Sequence, residues 1–295
     1  MHPIRFGPRS YLHSMREALE RTPYRCITVR PLSPTIGAEI GGIDLSEALE
    51  AETFAEIERA HLDYKALFFR DQDITTDAHL AFARRFGDLE DHPFLPAKEG
   101  YGKVVRFAKD KDVKGAENVW HSDVSWRVKP SLGSVLRAVE VPRVGGDTLF
   151  SDMVAAYEGL DDDLKAKLDG MRALHDFTHT FGRGLDPETL AQKQKEFPAV
   201  EHPVVRTHPV TGQKALYVNA VFTSYIVGLG RAESDRLLDY LYRQTAVPEY
   251  QCRFHWEKNS IAFWDNRSVQ HYASSDYWPQ RRVMERVTII GDRPA

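Results

Sequence analysis

The chain beyond residue 100 consists largely of short apolar and β-branched runs that are separated by turn residues. These runs predict strands at 103–108, 132–141, 147–151, 203–207, 214–218, 251–256, 260–264 and 282–290. Helices are predicted between them at 152–170, 187–197 and 231–245. Because strands and helices do not alternate strictly, the pattern disfavours a doubly wound parallel sheet and favours a sandwich or barrel. We therefore predict a mainly β fold with surrounding helices, in the α+β class.

The first hundred residues show more helical periodicity than the rest of the chain. Helices are predicted over 9–21, 51–63 and 76–86, and strands over 29–43 and 66–69. The sequence contains no internal repeat and no low-complexity linker. We therefore predict a single domain over residues 1–295, in which residues 1–25 form an N-terminal extension.

The composition excludes several classes of partner. The formal net charge is −4, so no basic excess indicates binding to nucleic acid or to a membrane surface. Cys26 and Cys252 do not make a disulfide framework, which fits a reducing compartment. The N-terminus lacks the apolar run of a signal peptide, and no segment approaches the roughly 18 apolar residues of a spanning helix. The expected location is the cytoplasm.

Two histidines and one aspartate have the spacing of a metal site. His121 and Asp123 form a His-x-Asp pair, and on an extended strand such residues point to the same face. His271 follows a predicted strand and a turn far along the chain. Two imidazoles and one carboxylate make the facial triad of nonhaem Fe(II) enzymes, which leaves coordination positions open. A His-x-Asp pair alone is weak support for a metal site in a chain with 12 histidines and 43 acidic residues. The assignment therefore depends on the residues around the pair.

Arg282 lies eleven positions after His271, on a strand that can run back beside the metal. The planar guanidinium group matches a carboxylate and could bind the far end of a carboxylate ligand of the metal. The neighbouring Arg281 faces the opposite side of such a strand, so we expect it at the surface.

With these features the chain resembles the taurine dioxygenase (TauD/TfdA) family of Fe(II)- and 2-oxoglutarate-dependent dioxygenases. The resemblance covers nearly all of residues 27–294, including the segments NVWHSDVSW, GGDTLFSDM, HPVVRTHPVTGQKALYVN, FWDNRSVQHYASSDY and QRRVMERVTIIGDRP. It implies a double-stranded β-helix (jelly roll) core wrapped by helices. It also implies Fe(II) as the metal, 2-oxoglutarate and O2 as cosubstrates, and a homo-oligomer, either a dimer or a tetramer.

The resemblance assigns roles to the residues around the proposed iron. His121, Asp123 and His271 correspond to the iron ligands of the family. Arg282 and Thr148 correspond to the residues that bind the C5 carboxylate of 2-oxoglutarate. Gly145 and Gly146 would let the backbone approach closely at this point.

The substrate residues match the family less completely. His92 and Arg286 resemble the residues that bind the sulfonate of taurine. Arg286 lies four residues beyond Arg282, so a strand keeps both on one face and provides a second cation for an anionic substrate. The resemblance also assigns residues to the substrate pocket, namely Val124, Phe181 and Phe222.

Three departures from the taurine enzymes concern the same pocket. Leu95 replaces a tyrosine, and Trp126 replaces a smaller aromatic residue. Glu117 replaces an asparagine that helps to hold the substrate amine. Its carboxylate could still bind an ammonium group and would repel an acidic one. These departures concern the substrate and not the iron or 2-oxoglutarate.

The predicted activity is therefore hydroxylation of a small anionic substrate, first of all a taurine-like sulfonate, with release of sulfite and an aldehyde. The alternative keeps this chemistry and changes the substrate to an alkyl sulfate, a phenoxyalkanoate or another small carboxylate. Two further hypotheses belong to other classes. Two histidines and one aspartate also suit a zinc hydrolase, and a jelly roll could be a binding protein without catalysis.

Overall fold

The computed structural model describes residues 9–19, 22–115 and 117–295. The strands are β1 (Thr28–Pro31), β2 (Ala38–Gly41), β3 (Ala66–Phe69), β4 (Ala97–Lys98), β5 (Tyr101–Lys109), β6 (Ser131–Glu140), β7 (Thr148–Asp152), β8 (Arg172–His175), β9 (Val200–Pro203), β10 (Val205–Thr207), β11 (Lys214–Leu216), β12 (Thr223–Ile226), β13 (Gln251–Phe254), β14 (Ile261–Asp265), β15 (Val269–Ala273) and β16 (Arg282–Ile290). The α-helices are α1 (Ser10–Leu19), α2 (Ala51–Tyr64), α3 (Thr76–Arg84), α4 (Met153–Glu158), α5 (Asp162–Leu168), α6 (Pro187–Glu196) and α7 (Arg231–Thr245). Short 3-10 helices occupy Phe181–Gly184 and Pro248–Tyr250.

Two sheets pack against each other and provide the frame of the molecule. The larger sheet has eight strands in the order β1-β2-β3-β14-β6-β16-β5-β4, and a smaller sheet has the order β13-β7-β15. Buried side chains from both sheets form one apolar cluster. In it Phe68 stacks on Phe254 with ring centroids 4.1 Å apart, and Phe150 lies 5.5 Å from Trp264. Burial of these large rings ties the two sheets together.

Helices cover the outer faces of this frame. Ile57 of α2 and Leu80 of α3 pack in one buried cluster with Leu67 and Phe263 of the larger sheet. Helices α4 and α7 contribute to a second cluster, which also takes in Leu12 of α1. None of the helices in the described part of the chain is long and apolar enough to cross a membrane.

Helix α1 attaches the N-terminal segment to the body of the protein. The hydroxyl groups of Tyr11 and Tyr250 are 2.5 Å apart, and Arg9 donates a hydrogen bond of 2.8 Å to the Tyr250 hydroxyl. Leu12 is buried among residues of α4 and α7. The helix predicted over 9–21 is present as Ser10–Leu19, while the predicted extension over residues 1–25 lies partly outside the described residues.

Several predicted elements coincide with the structure, namely 66–69, 231–245 and 282–290. The single strand predicted over 29–43 is wrong, because Gly37 adopts a left-handed φ of 82° and the chain turns between β1 and β2. The single helix predicted over 152–170 is also wrong, since α4 ends at Glu158, with Gly159 as its C-cap, and a separate helix, α5, follows. The prediction missed β4, β8, β12 and β15, and of β9 it included only Pro203. The overall class, strands with helices packed around them, is as predicted.

Candidate active site

His121, Asp123 and His271 lie together beside strand β15 of the smaller sheet. Their ligand atoms are all within 4.8 Å of one another. The Oδ1 atom of Asp123 is 3.8 Å from His121 Nε2 and 4.0 Å from His271 Nε2. The three atoms would have to move slightly closer together to share one metal ion with bonds of about 2.0–2.2 Å. The three residues therefore fit a metal site in donor type, and their side chains lie close enough to converge on one ion.

The backbone brings the two histidines together. His271 lies on β15, and His121 forms an isolated antiparallel bridge with it, with N–H to O distances of 3.1 Å and 2.9 Å. The expectation that His121 and Asp123 share an extended strand is wrong, because the chain enters a turn at Asp123. The next residue, Val124, has a left-handed φ of 47°. For a β-branched residue this conformation costs about 1–3 kcal/mol, and the surrounding contacts must stabilise it.

The charge states of the triad suit a cation. Burial lowers the pKa of both His121 and His271, so each imidazole is neutral at physiological pH and has a lone pair. The Nδ1 atom of His121 donates to the Val119 carbonyl at 2.8 Å, which leaves its Nε2 free to bind a metal. Burial alone would raise the pKa of Asp123, but the adjacent Arg286 guanidinium lowers it below its ordinary value. Asp123 is therefore the anionic member of the triad.

A cavity of about 420 Å³ opens onto the triad. It is lined by His92, Leu95, Phe107, Lys109, Glu117, Val119, His121, Asp123, Val124, Leu136, Thr148, His179, Thr180, Phe181, Arg183, Val221, Phe222, Trp264, His271, Ala273, Tyr277, Arg282, Met284 and Arg286. All the residues assigned from the sequence to the metal, the cosubstrate and the substrate belong to this lining. The volume is in the range of small-molecule sites.

Arg282 and Thr148 lie at one end of the cavity. The Nε and Nη2 atoms of Arg282 are buried and have no hydrogen-bond partner among the described residues. The Thr148 hydroxyl accepts a hydrogen bond of 2.9 Å from the Trp256 indole, so its own hydrogen can donate to a further acceptor. A Cβ atom on Gly146, which has a φ of 74°, would lie 3.2 Å from Arg282 Nε. A side chain larger than that of glycine at position 146 would crowd the Arg282 guanidinium group. The unpaired buried donors of Arg282 favour the binding of an anion.

Lys109 and Glu117 belong to the same end of the cavity. Lys109 Nζ forms an ion pair of 2.9 Å with Glu117 Oε1. Lys109 is also the direct cross-strand partner of Arg282 in the pairing of β5 with β16. Like charges in directly opposite positions repel each other, so an anion near both is favourable. The carboxylate of Glu117 is one such anion, and it has a cation of the protein beside it.

His92 and Arg286 lie toward the other end of the cavity. His92 Nδ1 accepts hydrogen bonds from the backbone N–H groups of Phe94 and Leu95, at 3.3 Å and 3.1 Å. The proton of the neutral ring is therefore on Nε2, which can donate to an anion. Burial, and after it Arg286, lowers the pKa of His92 to about 3. Arg286 Nη1 is 2.6 Å from Asp123 Oδ1, and its buried Nε has no partner among the described residues.

Aromatic side chains form the wall beside His92. Phe181 lies 5.3 Å from His92 and 6.1 Å from Phe222, measured between ring centroids. Val124 and Phe222 are buried in the same apolar cluster as Trp126. Trp126 does not line the cavity but packs behind the wall, so its size acts on the pocket only through its neighbours.

Several residues that contact the predicted site residues were not identified from the sequence, among them Trp256, which donates to Thr148. Ser134 donates to Asp123 Oδ2 at 2.7 Å, and Asn266 accepts a hydrogen bond from the Asp123 backbone N–H at 3.1 Å. Lys109 pairs with Glu117. Asn266 follows Trp264 closely in a segment already associated with His271, which could have drawn attention to it. Ser134 and Lys109 carry no local signal, because their positions depend on strand register.

Comparisons with known proteins agree with this geometry. Residues 28–288 match the model of the "Taurine catabolism dioxygenase TauD, TfdA family". An alkylsulfatase of Acinetobacter baylyi is 35% identical, over 92% of this chain and 87% of the relative. An α-ketoglutarate-dependent 2,4-dichlorophenoxyacetate dioxygenase of Cupriavidus pinatubonensis is 35% identical, over 90% of this chain and 98% of the relative. The crystal structure of a taurine dioxygenase from Burkholderia xenovorans is 36% identical with a TM-score of 0.80, and the match covers 92% of this chain and 91% of that one. The chain therefore belongs to the TauD, TfdA family of dioxygenases.

Proposed function

We propose that this protein hydroxylates a sulfonate or a sulfate ester at the carbon next to the anionic group, with Fe(II), 2-oxoglutarate and O2. As a member of its family the chain is a 2-oxoglutarate-dependent dioxygenase, and these are its cofactor and cosubstrates. The observation that supports the substrate class is the arrangement of Arg282 and Arg286. Both lie on β16 and line one cavity, Arg286 beside Asp123 and Arg282 opposite Lys109, so two different anions could bind there together.

His121, Asp123 and His271 would hold the iron in this proposal. When bound, iron and 2-oxoglutarate supply an oxidant derived from O2 that can replace a C–H bond by C–OH. The protein holds the reactants in place, shields them from water and balances their charge. The neutral imidazoles and the ionised Asp123 give the site a single negative charge toward a divalent cation.

Arg282, Thr148 and Lys109 would bind the C5 carboxylate of 2-oxoglutarate. Arg282 offers two unpaired buried donors, and Thr148 offers a hydroxyl hydrogen. Lys109 adds a second positive charge opposite Arg282 on the neighbouring strand. A dianionic cosubstrate is favoured over a neutral one by this set of donors.

Arg286 and the Nε2–H group of His92 would bind the anionic group of the substrate. The remaining wall is mostly apolar, through Val124, Phe181 and Phe222. Such a wall suits an uncharged alkyl or aryl body better than the ammonium group of taurine. Glu117, the predicted partner of a substrate amine, pairs with Lys109 in this structure. The pocket therefore favours an alkanesulfonate or an alkyl sulfate over taurine itself.

The aromatic rings at Phe181 and Phe222 also favour a second candidate, a phenoxyalkanoate. A carboxylate can replace a sulfonate at Arg286, since both are anions with oxygen acceptors. The stacked rings could then contact the aromatic body of the substrate. The reaction would be the same hydroxylation, with a phenol as the leaving group.

A panel of anions tests the proposal. Hexanesulfonate, hexyl sulfate, taurine and phenoxyacetate would each be incubated with the Fe(II) protein, 2-oxoglutarate and O2. Succinate formation would be compared with release of sulfite, sulfate or phenol. We expect one of the two hexyl anions to couple succinate to sulfite or sulfate in a one-to-one ratio. Coupling to phenoxyacetate alone would establish the second candidate.

A parallel assay without O2 and without 2-oxoglutarate separates this chemistry from hydrolysis. Release of sulfate under those conditions would contradict the proposal and support a zinc hydrolase. No succinate with any anion, from protein that binds Fe(II), would support a binding protein without catalysis.

Three further features complete the proposal on the basis of the family resemblance and the sequence. They are a double-stranded β-helix core, a cytoplasmic location, and assembly into dimers or tetramers. Analytical ultracentrifugation of the full chain tests the last of these, and a sedimentation coefficient of the 33.7 kDa monomer at micromolar concentration would contradict it.

A further inference from the structure

The second carboxylate oxygen of Asp123 has a dedicated partner. The Ser134 hydroxyl on β6 donates to Asp123 Oδ2 at 2.7 Å, while Asp123 Oδ1 lies near the two histidines and pairs with Arg286 at 2.6 Å. Ser134 is fully buried, so no water competes for this contact. The two oxygens of this carboxylate therefore have different surroundings.

Asn266 connects the side chain of Asp123 with its main chain. The Asn266 Oδ1 atom accepts the backbone N–H of Asp123 at 3.1 Å, and its Nδ2 donates to the Ser134 hydroxyl at 3.2 Å. The Trp264 indole also donates to Asn266 Oδ1, at 3.0 Å. Because the indole and the backbone N–H can only donate, the amide oxygen must face them, and the orientation of this amide is fixed.

We infer that Ser134 and Asn266 are positioning residues that hold Asp123 as a one-oxygen ligand of the metal. The inference rests on the proposed iron site and adds to it the groups that orient its carboxylate. A carboxylate that binds through both oxygens takes an extra coordination position, which the cosubstrates need. The Ser134 hydrogen bond occupies Oδ2, so Oδ1, which lies near both histidines and Arg286, is the oxygen that would bind the metal.

The same network also supports the turn that follows Asp123. Asn266 holds the Asp123 backbone N–H immediately before Val124, whose φ is left-handed. The backbone bridge between His121 and His271 holds the chain on the other side of Asp123. The carboxylate is therefore fixed through both the main chain and the side chain.

Ser131 provides a matched control within the same network. Its hydroxyl accepts a hydrogen bond from Asn266 Nδ2 at 3.0 Å, as the hydroxyl of Ser134 does. Ser131 then donates to the Gly133 carbonyl and not to Asp123. Both serines are buried on β6. Removing either hydroxyl costs Asn266 one acceptor, but only Ser134→Ala removes a contact with the carboxylate.

The test measures metal affinity directly, independently of turnover. Metal-free wild type, Ser134→Ala and Ser131→Ala would be titrated with Mn(II), and free Mn(II) would be followed by electron paramagnetic resonance. We expect Ser134→Ala to bind about 10–100-fold more weakly, which is the usual effect of losing a group that orients a metal ligand. Ser131→Ala should stay within about twofold of the wild type, because the Asp123 contact remains. Thermal unfolding of the metal-free proteins would show the loss of stability in each variant.

A spectroscopic measurement separates positioning from general stability. With Co(II) in the site, we expect the visible spectrum of Ser134→Ala to differ from that of wild type, because Asp123 can then bind through both oxygens. The spectrum of Ser131→Ala should match the wild type. If Ser134→Ala does not fold, Ser134→Cys keeps a weak donor and a similar shape. We then expect that variant to bind Mn(II) with an affinity below that of wild type.

The outcomes distinguish the inference from the proposed function. If wild type binds Mn(II) and Ser134→Ala binds it equally well, the inference is overturned and the iron site stands. An equal loss of affinity in the two alanine variants also overturns it, because packing would then explain the effect. If the wild type binds no Mn(II), the proposed iron site is contradicted, and the inference that rests on it is contradicted as well.

Discussion

The two ends of the cavity are built in different ways. The end around Arg282 is formed by paired strands, where Thr148, Lys109 and Arg282 are fixed by the register of β5, β7 and β16. The end around His92 is formed by loop segments and the 3-10 helix Phe181–Gly184, and its wall is mostly apolar. The donors proposed for 2-oxoglutarate lie on the sheets, and the surface that would select the body of the substrate lies on the connections. The reaction class is therefore better determined by this structure than the substrate.

The largest expected effect comes from the residue shared by both ends. Asp123→Ala removes the carboxylate of the triad and also the partner of Arg286. We expect substrate-dependent succinate formation to fall by more than about 100-fold. Losing a residue that only orients a metal ligand already lowers metal affinity or activity by about 10–100-fold. Asp239→Ala, an exposed change on α7, serves as the control. Wild-type turnover by Asp123→Ala would refute the iron site.

Replacing each of the two arginines by alanine in turn tests whether the two ends of the cavity bind different anions. Arg282→Ala should raise the KM for 2-oxoglutarate about 30-fold or more and leave the substrate KM nearly unchanged, because losing one member of a buried charge pair costs about 2–5 kcal/mol. Arg286→Ala should do the reverse. Steady-state kinetics with each reactant varied in turn measures both constants. Arg281→Ala is the control, because this side chain is exposed and pairs with Glu140. Parallel effects in both variants would show that the two arginines were misassigned.

A smaller effect is expected at the ion pair beside Arg282. Lys109→Met leaves the Glu117 carboxylate near the cosubstrate end without its cation. We expect the KM for 2-oxoglutarate to rise about fivefold, which corresponds to about 1 kcal/mol for a partly exposed pair. The double variant Lys109→Met/Glu117→Gln should recover most of this loss. A rise in the substrate KM instead would place Glu117 and Lys109 at the substrate end.

The smallest effect is an expected lack of pH dependence at His92. Burial and Arg286 hold the pKa of His92 at about 3, below the unfolded value of about 6.5. The ring is thus neutral throughout the range from about pH 5 to 8, and protonation can affect it only below that range. The pH profiles of kcat/KM for wild type and His92→Gln should therefore be parallel. A wild-type profile that falls below about pH 6.5, and does not fall in His92→Gln, would contradict this.

Sequence reasoning was most successful where function requires particular residue types at fixed spacing. Arg282 and Arg286 were placed on one face of a strand from their spacing alone, and β16 has the predicted bounds. The His-x-Asp pair was predicted on a strand, but its geometry comes from a turn at Asp123 and a bridge to His271. The contacts of Ser134 and Lys109 depend on which strands pair and in what register. Such pairing is set by tertiary packing and is not visible in a local pattern.

The bridge between His121 and His271 has a consequence for the order of events in metal loading. Each histidine holds the other through main-chain hydrogen bonds, so these bonds fix the backbone at both positions independently of any ion. Little conformational entropy then remains to be lost on metal capture. We expect the amide hydrogens of these two residues to exchange slowly already in the metal-free protein, and metal addition to change their protection little. In such a protein the metal would enter a site whose backbone is already in place, and only side chains would adjust.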